Sequence, residues 1–279
     1  MCEEELQGML RPVAALSLAA CLAALLAAPA SAQEIHSALC LYGCPFGAPQ
    51  TNNLIIRDIY ILSSNDDTKF ADWAAYRVTS NTIGSSKERI WRADPYLSPE
   101  ETLEPEDYAG ASAALNTDRG HQVPLASFAG TEHAADTNYL SNITPQKSAL
   151  NAGAWERLES AERTLAKREG SPSVYVMTGL VYLRDMPPLP KADEPHKVPS
   201  GYWKIVSIQD GGSLKVASFF FDQETQRKEL YCDHMTTIAD IESKTGLKFF
   251  HELSQATADE LRQAPASLRS EIGCQGREP

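Results

Sequence analysis

The chain has 279 residues, of which 43% are hydrophobic and 22% are charged, a composition typical of a soluble protein with a packed core. Its formal net charge at pH 7 is −12. This acidic excess argues against a protein that adheres to nucleic acid or anionic lipid over its whole surface, because such adhesion needs a basic excess. A local basic groove is still compatible with it.

The first 32 residues have the pattern of an export signal. Residues 13–28 (VAALSLAACLAALLAA) are apolar and uncharged, and the tripeptide ASA at 30–32 forms an A-x-A cleavage site. The apolar run is shorter than the roughly 20 residues that a membrane span needs. Because residues 1–5 (MCEEE) are acidic where a signal is usually basic, we expect translation to begin at Met9. Residues 33–279 are predicted to form one exported domain without a membrane anchor.

Four cysteines follow the predicted signal, namely Cys40, Cys44, Cys232 and Cys274. An even number in an oxidising compartment indicates disulfides, and four cysteines allow three pairings. The short spacing from Cys40 to Cys44 favours a local bridge, which would leave Cys232 to pair with Cys274. A rival interpretation is a metal site that uses Cys232 and His234, but no C-x-x-C pair accompanies them.

The hydrophobic pattern after residue 52 predicts a single α+β domain. Apolar, β-branched runs predict strands at residues 53–65, 72–80, 173–183, 202–209 and 214–222. Residues 81–109 are polar and contain prolines, which indicates loops. Helices are predicted at residues 151–169, 237–246 and 257–264, and the last two begin with threonines that can cap them.

The helix predicted at 151–169 carries two polar residues of interest. On a continuous helix, Asn151 and Glu159 lie about 80° apart and about two turns from each other, close enough to serve one site. Trp155 lies between them and is expected to pack in the core rather than to stack on a base.

The segment LNTDRGHQVPLASF, residues 115–128, contains a charged tetrapeptide that would ordinarily indicate a surface turn. Its neighbourhood favours a site, because Asn138, Asn142, Asn151 and Glu159 all follow within 38 residues of His121. We expect Gly120 to supply the backbone freedom that turns its two neighbours toward one ligand.

These residue types suit the hydrolysis of a phosphodiester. An imidazole with an ordinary pKa of about 6.5 makes His121 a candidate base for water. The amide oxygen of Asn151 is a ligand for a hard ion such as Mg²⁺, and Glu159 can hold the waters that such an ion keeps. Arg89 and Arg119 offer the fork of donors that a phosphate accepts.

Three segments together strongly resemble the secreted DNA/RNA non-specific endonucleases of the ββα-metal, or His-Me finger, type: DRGHQVPLASF, NYLSNITPQKSALNAGAWERLE and KERIWRADP. The resemblance covers essentially the whole chain after the signal, including the positions of the four cysteines. It implies a mainly antiparallel central sheet flanked by helices, with a ββα-metal motif at the active site. It also implies Mg²⁺-dependent cleavage of single- and double-stranded DNA and RNA to 5′-phosphate ends, with Mn²⁺ as a possible substitute, and a tendency to form homodimers.

The resemblance implies a role for each matching residue. His121 matches the general base, Asn151 the direct Mg²⁺ ligand, and Glu159 the acid that orients metal-bound water. The remaining matches are the phosphate-binding Arg89 and Arg119, the supporting Asn138 and Asn142, the groove residue Arg163, and Asp118 in a positional role. No core position departs from the family pattern.

Two other classes of function compete with this interpretation. An exported nucleic-acid-binding protein without cleavage activity could use the same groove, although the intact His121, Asn151 and Glu159 argue against it. A secreted esterase is disfavoured because no G-x-S-x-G elbow occurs. Because the whole chain is acidic, we expect the positive charge that binds DNA or RNA to be concentrated locally. The residues expected there include Arg89, Arg119, Lys147, Arg157, Arg163, Lys167 and Arg168.

Overall fold

A computed structural model describes residues 35–275 of the chain, apart from residues 86, 169, 171, 172 and 265. The predicted signal at residues 1–32 and the predicted start at Met9 lie outside the described residues. Within them, no helix is both long enough and apolar enough to cross a membrane.

The strands of the described chain fall into two sheets. Seven form an antiparallel sheet in the order β1-β2-β3-β6-β7-β8-β9, while β4 and β5 form a separate antiparallel ribbon. This arrangement confirms the predicted α+β class. The strands are β1 (Asn53–Ile56), β2 (Tyr60–Asn65), β3 (Phe70–Val78), β4 (Thr117–His121), β5 (Ile143–Lys147), β6 (Val174–Val181), β7 (Gly201–Asp210), β8 (Ser213–Asp222) and β9 (Met235–Thr236).

Short helices connect and cover the sheets. The α-helices are α1 (Ala111–Leu115), α2 (Leu125–Phe128), α3 (Ser148–Leu150), α4 (Glu156–Ala166), α5 (Ile238–Thr245) and α6 (Gln255–Gln263). A π-helical turn spans Asn151–Trp155, and 3₁₀ turns span Pro99–Glu101, Glu132–Asn138, Leu140–Asn142 and Tyr231–His234.

Both faces of the large sheet are buried. Successive side chains of a strand point to opposite sides of a sheet, so alternate residues of one strand belong to different cores. In β7, Tyr202 and Val206 belong to the core that also contains Leu158 of α4. Their neighbours Trp203 and Ile205 belong to a second core, which contains α5 and the Cys40–Cys44 region. The ribbon and the predicted site residues therefore lie on the side of the sheet that α4 covers, whereas α5 and the Cys40–Cys44 region cover the opposite side.

The predicted strand at 53–65 is two strands. The chain reverses after Ile56, where the Arg57 N–H donates to the Tyr60 carbonyl, and Ile55 pairs with Leu62 across the hairpin. Both arms are apolar, so the hairpin looks continuous in sequence. The polar pair Arg57-Asp58 is the interruption that marks the turn.

The predicted helix at 151–169 is also broken. Ala152 and Gly153 have non-helical backbone angles, and regular helix begins only at Glu156. At Gly153 the backbone of Arg227 packs so closely that an added Cβ would lie 3.0 Å from its carbonyl oxygen. The angular relation predicted for Asn151 and Glu159 on one continuous helix is therefore wrong.

The two later helices differ in how they begin. The Thr237 hydroxyl accepts from the Asp240 N–H and caps α5, as predicted. The cap of α6 is Ser254, three residues before the predicted Thr257. Thr257 was a wrong assignment because it lies inside the first turn of α6, where its own N–H is the group that needs the cap.

The disulfides pair Cys40 with Cys44 and Cys232 with Cys274, as predicted. This pairing excludes the Cys232/His234 metal site, since the sulfur of Cys232 is already bonded. The second bridge joins the C-terminal segment to the turn before β9, beside a hydrogen bond from the Tyr231 hydroxyl to the Ile272 carbonyl.

Replacing both cysteines of one bridge by alanine should destabilise the protein according to the length of the loop that the bridge closes. The Cys232–Cys274 pair spans 42 residues and the Cys40–Cys44 pair spans 4. Loop-closure entropy gives a loss in unfolding free energy of about 4 kcal/mol for the first and about 2 kcal/mol for the second. Urea unfolding of the two double variants measures both, and a larger loss for Cys40/Cys44 would contradict this account.

Candidate active site

A cleft of 490 Å³ lies between the β4–β5 ribbon, the start of α4 and the segment around Trp91. Six of the predicted site residues line it: Arg89, Asp118, Arg119, His121, Asn151 and Glu159. The break in the helix does not separate Asn151 from Glu159 in this cleft. The residues that the sequence places far apart therefore share one solvent-accessible space.

The ribbon brings Arg119 and His121 to the cleft by strand geometry. The two residues are separated by one position on β4, so their side chains leave the same face. Gly120 between them does not have a positive φ. An added Cβ there would lie 2.6 Å from both Cβ and Oε1 of Gln146. Gly120 is thus required by close packing, and the expectation that it supplies backbone freedom is wrong.

One hydrogen bond orients the His121 ring. Its Nε2 lies 3.1 Å from Oδ1 of Asn138, whose amide nitrogen points instead to the Glu88 carbonyl at 3.4 Å. An amide oxygen only accepts, so Nε2 carries the proton and Nδ1 keeps a free lone pair. The Trp91 ring packs against the imidazole with centroids 5.3 Å apart.

Burial keeps His121 uncharged. Burial is the main effect that lowers the pKa of His121 to about 4; the hydrogen bond with Asn138 opposes this shift and the nearby charge of Arg89 adds to it. The imidazole is therefore neutral at pH 7. A neutral ring with a free Nδ1 is in the form that accepts a proton.

Asp118 fixes the orientation of Asn151. Its Oδ2 accepts from Nδ2 of Asn151 at 2.9 Å, and its Oδ1 accepts from the Ser148 hydroxyl at 2.7 Å. Because a carboxylate only accepts, the Asn151 amide nitrogen must face it and the amide oxygen is left for a ligand. A neutral oxygen beside a carboxylate and open to a cleft is a donor set that fits a hard divalent cation.

Glu159 approaches the cleft from α4. Its side chain is only 12% exposed and lies 3.9 Å from the ammonium of Lys204 and 4.0 Å from the Arg163 guanidinium. Burial raises the pKa of Glu159 to about 7, with Lys204 opposing and the neighbouring Glu162 reinforcing this effect. Its protonation state therefore changes near neutral pH.

The two arginines occupy different depths. The Arg119 guanidinium lies over the rings of Tyr108 and Trp91, at 5.2 Å and 5.6 Å, and donates to the Pro105 carbonyl at 2.8 Å. Its buried Nε has no hydrogen-bond partner among the described residues. Arg89 is exposed at the rim of the cleft. Together they offer one fixed and one adaptable donor to an anion.

Three predicted site residues do not line the cleft. Asn138 acts on the cleft indirectly, through its hydrogen bond with the His121 ring. Asn142 is fully buried, accepts from the Val123 N–H at 2.8 Å and donates to the Val123 and Thr137 carbonyls. Arg163 lies 3.6 Å from Glu156 as well as near Glu159, and does not border the cleft.

Three of the other basic residues expected around the substrate are engaged elsewhere, and Lys167 does not border the cleft. Lys147 lies 3.6 Å from Glu224, Arg157 donates to the carbonyls of Arg227 and Glu229, and Arg168 donates to the Glu271 carbonyl. Of the basic residues expected there, the cleft itself is bordered by Arg89 and Arg119.

Sequence reasoning missed two kinds of residue in the site. Trp91 and Tyr108 support His121 and Arg119, and Trp91 could have been noticed because it lies two residues after Arg89. Lys204 and Glu162 lie beneath Glu159 in the core, and the sequence gives no signal that they meet. Trp155 is 1% exposed and packs against Tyr202 and Phe221, as predicted.

Known proteins match this chain over most of its length. The family described as DNA/RNA non-specific endonuclease matches residues 38–256. A nuclease of Serratia marcescens is 47% identical over 256 residues, which cover 91% of this chain and 96% of that protein. Human mitochondrial endonuclease G is 27% identical over 222 residues, which cover 73% and 71%. The crystal structure of an EndoG/EndoGI complex aligns with a TM-score of 0.64 at 22% identity over 75% of this chain and 90% of that one, a likeness of fold.

Asn138→Ala and Asn142→Ala should separate the two supporting roles. Loss of Asn138 frees the His121 ring and should lower kcat at least about tenfold with little change in the melting temperature. Loss of Asn142 leaves three buried backbone groups unpaired and should reduce the free energy of unfolding by roughly 3 kcal/mol. Steady-state kinetics and urea unfolding of both variants test this, and an exchange of the two phenotypes would refute the assignment.

Proposed function

Because the chain belongs to the DNA/RNA non-specific endonuclease family and is a hydrolase of nucleic-acid phosphodiester bonds, we propose that it cleaves DNA and RNA at this cleft with His121 as the base and Mg²⁺ bound at Asn151. One observation carries the proposal. A neutral, oriented imidazole, an amide oxygen held outward by Asp118, and the guanidinium-bearing Arg119 border the same cleft.

His121 is the group that activates water in this proposal. Its Nε2–H is held by Asn138, and its Nδ1 takes the proton as the water oxygen attacks phosphorus in line with the 3′ oxygen. The P–O3′ bond then breaks and the leaving 3′ oxygen takes a proton from water in the cleft, which gives a 5′-phosphate and a 3′-hydroxyl end. The low pKa of His121 keeps the lone pair available at all pH values well above 4.

The family is metal-dependent. Asn151 would hold the ion through its amide oxygen, and Glu159 would hold water beside it. Bound there, Mg²⁺ would stabilise charge on the phosphate oxygens and assist departure of the 3′ oxygen, a role that Mn²⁺ can also fill. The fixed orientation of Asn151 supports a hard ion, since only its oxygen faces the cleft.

Arg119 and Arg89 stabilise the developing charge on the phosphate. The guanidinium of Arg119 is held by the rings of Trp91 and Tyr108 and by the Pro105 carbonyl, so little reorganisation is needed when the phosphate arrives. Contacts of this kind go to phosphates, which carry no sequence information, and this accounts for cleavage without sequence preference. Acceptance of both single and double strands and of the RNA 2′-hydroxyl is part of the same proposal.

Export and self-association complete the proposal. The signal pattern of residues 1–32 and the two disulfides support export of residues 33–279 as one domain to the extracellular space or the periplasm. A homodimer rests on the family resemblance alone. The aromatic run Phe219–Phe221 gives it no support, because Phe219 and Phe221 are fully buried in the core. Sedimentation of the purified protein measures the state of association.

Plasmid DNA and RNA should both be degraded in Mg²⁺ and remain intact in EDTA. His121→Ala should reduce the rate by roughly 10²–10⁴-fold while the circular dichroism spectrum stays unchanged, since only the base is lost. End-labelling should show 5′-phosphates. A protein that binds both polymers in a gel-shift assay yet leaves them uncut in Mg²⁺ would instead support the non-cleaving alternative, and an unaffected His121→Ala rate would exclude the assigned base.

Asn151→Ala should lose both activity and bound cation. Mn²⁺ binding followed by electron paramagnetic resonance reports the ion directly, without a need for turnover. Asn138→Ala is the matched control, because it removes another amide of the site but leaves Asn151 and Asp118 in place, and it should retain the ion. Undiminished Mn²⁺ affinity in Asn151→Ala would rule out this ligand.

A further inference from the structure

A fully buried ion pair lies beneath the cleft. The Lys204 ammonium, from β7, is 3.1 Å from Oε1 of Glu162, from α4, and both side chains are completely inaccessible to solvent. The Tyr76 hydroxyl donates to the other carboxylate oxygen of Glu162 at 3.0 Å and lies 3.3 Å from the ammonium. The Trp155 ring centroid lies 4.2 Å from the same ammonium.

Stability alone is a weak reason for such a pair. Removing two charges from water costs several kcal/mol per ion, and apolar residues of similar size often serve a core equally well or better. Lys204 lies in a strand whose neighbours on the same face are apolar, so an aliphatic side chain would fit the pattern of β7. Packing and stability alone therefore do not explain why this ion pair lies in the core.

The pair is connected to the cleft through Glu159. Residues 159 and 162 are three apart on α4, so their carboxylates leave the same side of the helix. Lys204 is 3.1 Å from one carboxylate and 3.9 Å from the other. One buried ammonium is thus shared by two carboxylates, of which only Glu159 borders the cleft.

We propose that Lys204 and Glu162 form a positioning pair for Glu159. The ammonium attracts the Glu159 carboxylate from the core side and favours its ionised form. Glu162 binds the same ammonium more closely and so weakens its attraction for Glu159. The Glu159 carboxylate is therefore held in place but can still accept hydrogen bonds from the cleft. The inference rests on the proposed function, in which Glu159 acts as an ionised acceptor, and extends it to residues that never touch substrate.

The sign of each contribution follows from the charges around Glu159. The cations are Lys204 from β7 and Arg163 from α4, and the anions are Glu162 and Glu156 from α4. Tyr76 of β3 faces Glu162 as a neutral donor. Removing a cation disfavours the carboxylate and should raise the pKa of Glu159 above about 7. Removing an anion should lower it.

Titration of the metal-free protein tests the pair directly. The ¹³Cδ resonance of Glu159, assigned by its loss in Glu159→Gln, reports its midpoint in EDTA. Lys204→Met should move the midpoint upward and Glu162→Gln should move it downward, each by about one pH unit, as expected for charges at these distances. The double variant removes the pair as a neutral unit and should lie between the two. It also provides a reading if Lys204→Met alone does not fold.

Lys215→Met is the matched control. Lys215 is also shared by two carboxylates, Asp210 at 2.8 Å and Glu271 at 2.7 Å, but it does not contact Glu159. Its removal should leave the Glu159 midpoint unchanged. Shifts of the same sign in Lys204→Met and Glu162→Gln, or no shift in Glu162→Gln and in the double variant, would overturn the proposal.

Kinetics should follow the same order. The acidic limb of the pH dependence of kcat/KM should move with the Glu159 midpoint in each variant, with KM little changed. Since the titration needs neither metal nor substrate, opposite shifts without any nuclease activity would sink the proposed function but keep the pair. Nuclease activity together with the absence of opposite shifts would overturn the positioning pair and leave the proposed function intact.

Discussion

The site depends on a carboxylate that can only accept hydrogen bonds. Asp118 lies on the ribbon, and its two oxygens accept from Ser148 and Asn151, which lie just beyond the other strand of the ribbon. This one side chain decides which atom of Asn151 faces the cleft and ties the ribbon to the turn that precedes α4. Were the amide free to rotate, its nitrogen and oxygen would compete for the same position and a cation would meet a donor as often as an acceptor.

The break before α4 lets two different elements contribute to one cleft. Asn151 belongs to a π-helical turn that is oriented by the ribbon, whereas Glu159 belongs to a regular helix that is oriented by the core. Gly153 allows the backbone of Arg227 to approach the turn. The polar groups are thus held by rigid neighbours on both sides, and the cleft does not rely on the regularity of a single helix.

The sequence predicts features that depend on local pattern and misses those that depend on approach in space. Strands β6 to β8 are recognisable because apolar runs end at turn residues, and His121 with Asn151 is recognisable because the motif resembles a known family. The sequence does not reveal the β1–β2 hairpin because both arms are apolar, and it does not reveal the helix break because the apolar spacing continues through it. Gly120 has the expected identity for an unexpected reason, the contact with Gln146. Lys204 could not be found, since its partner Glu162 lies 42 residues earlier and on another element.

The hydrogen bond between Asp118 and Asn151 also limits which substitutions these two positions can accept during evolution. A carboxylate at position 151 would bind divalent cations more strongly than an amide, but it would lie about as close to Asp118 as the present 2.9 Å contact. Two anions at that distance cannot both stay ionised at neutral pH, so they would share a proton and lose the fixed orientation. The stronger ligand is reachable only if position 118 changes to a donor at the same time. The two positions are therefore expected to vary together among related chains, and each one alone to resist substitution.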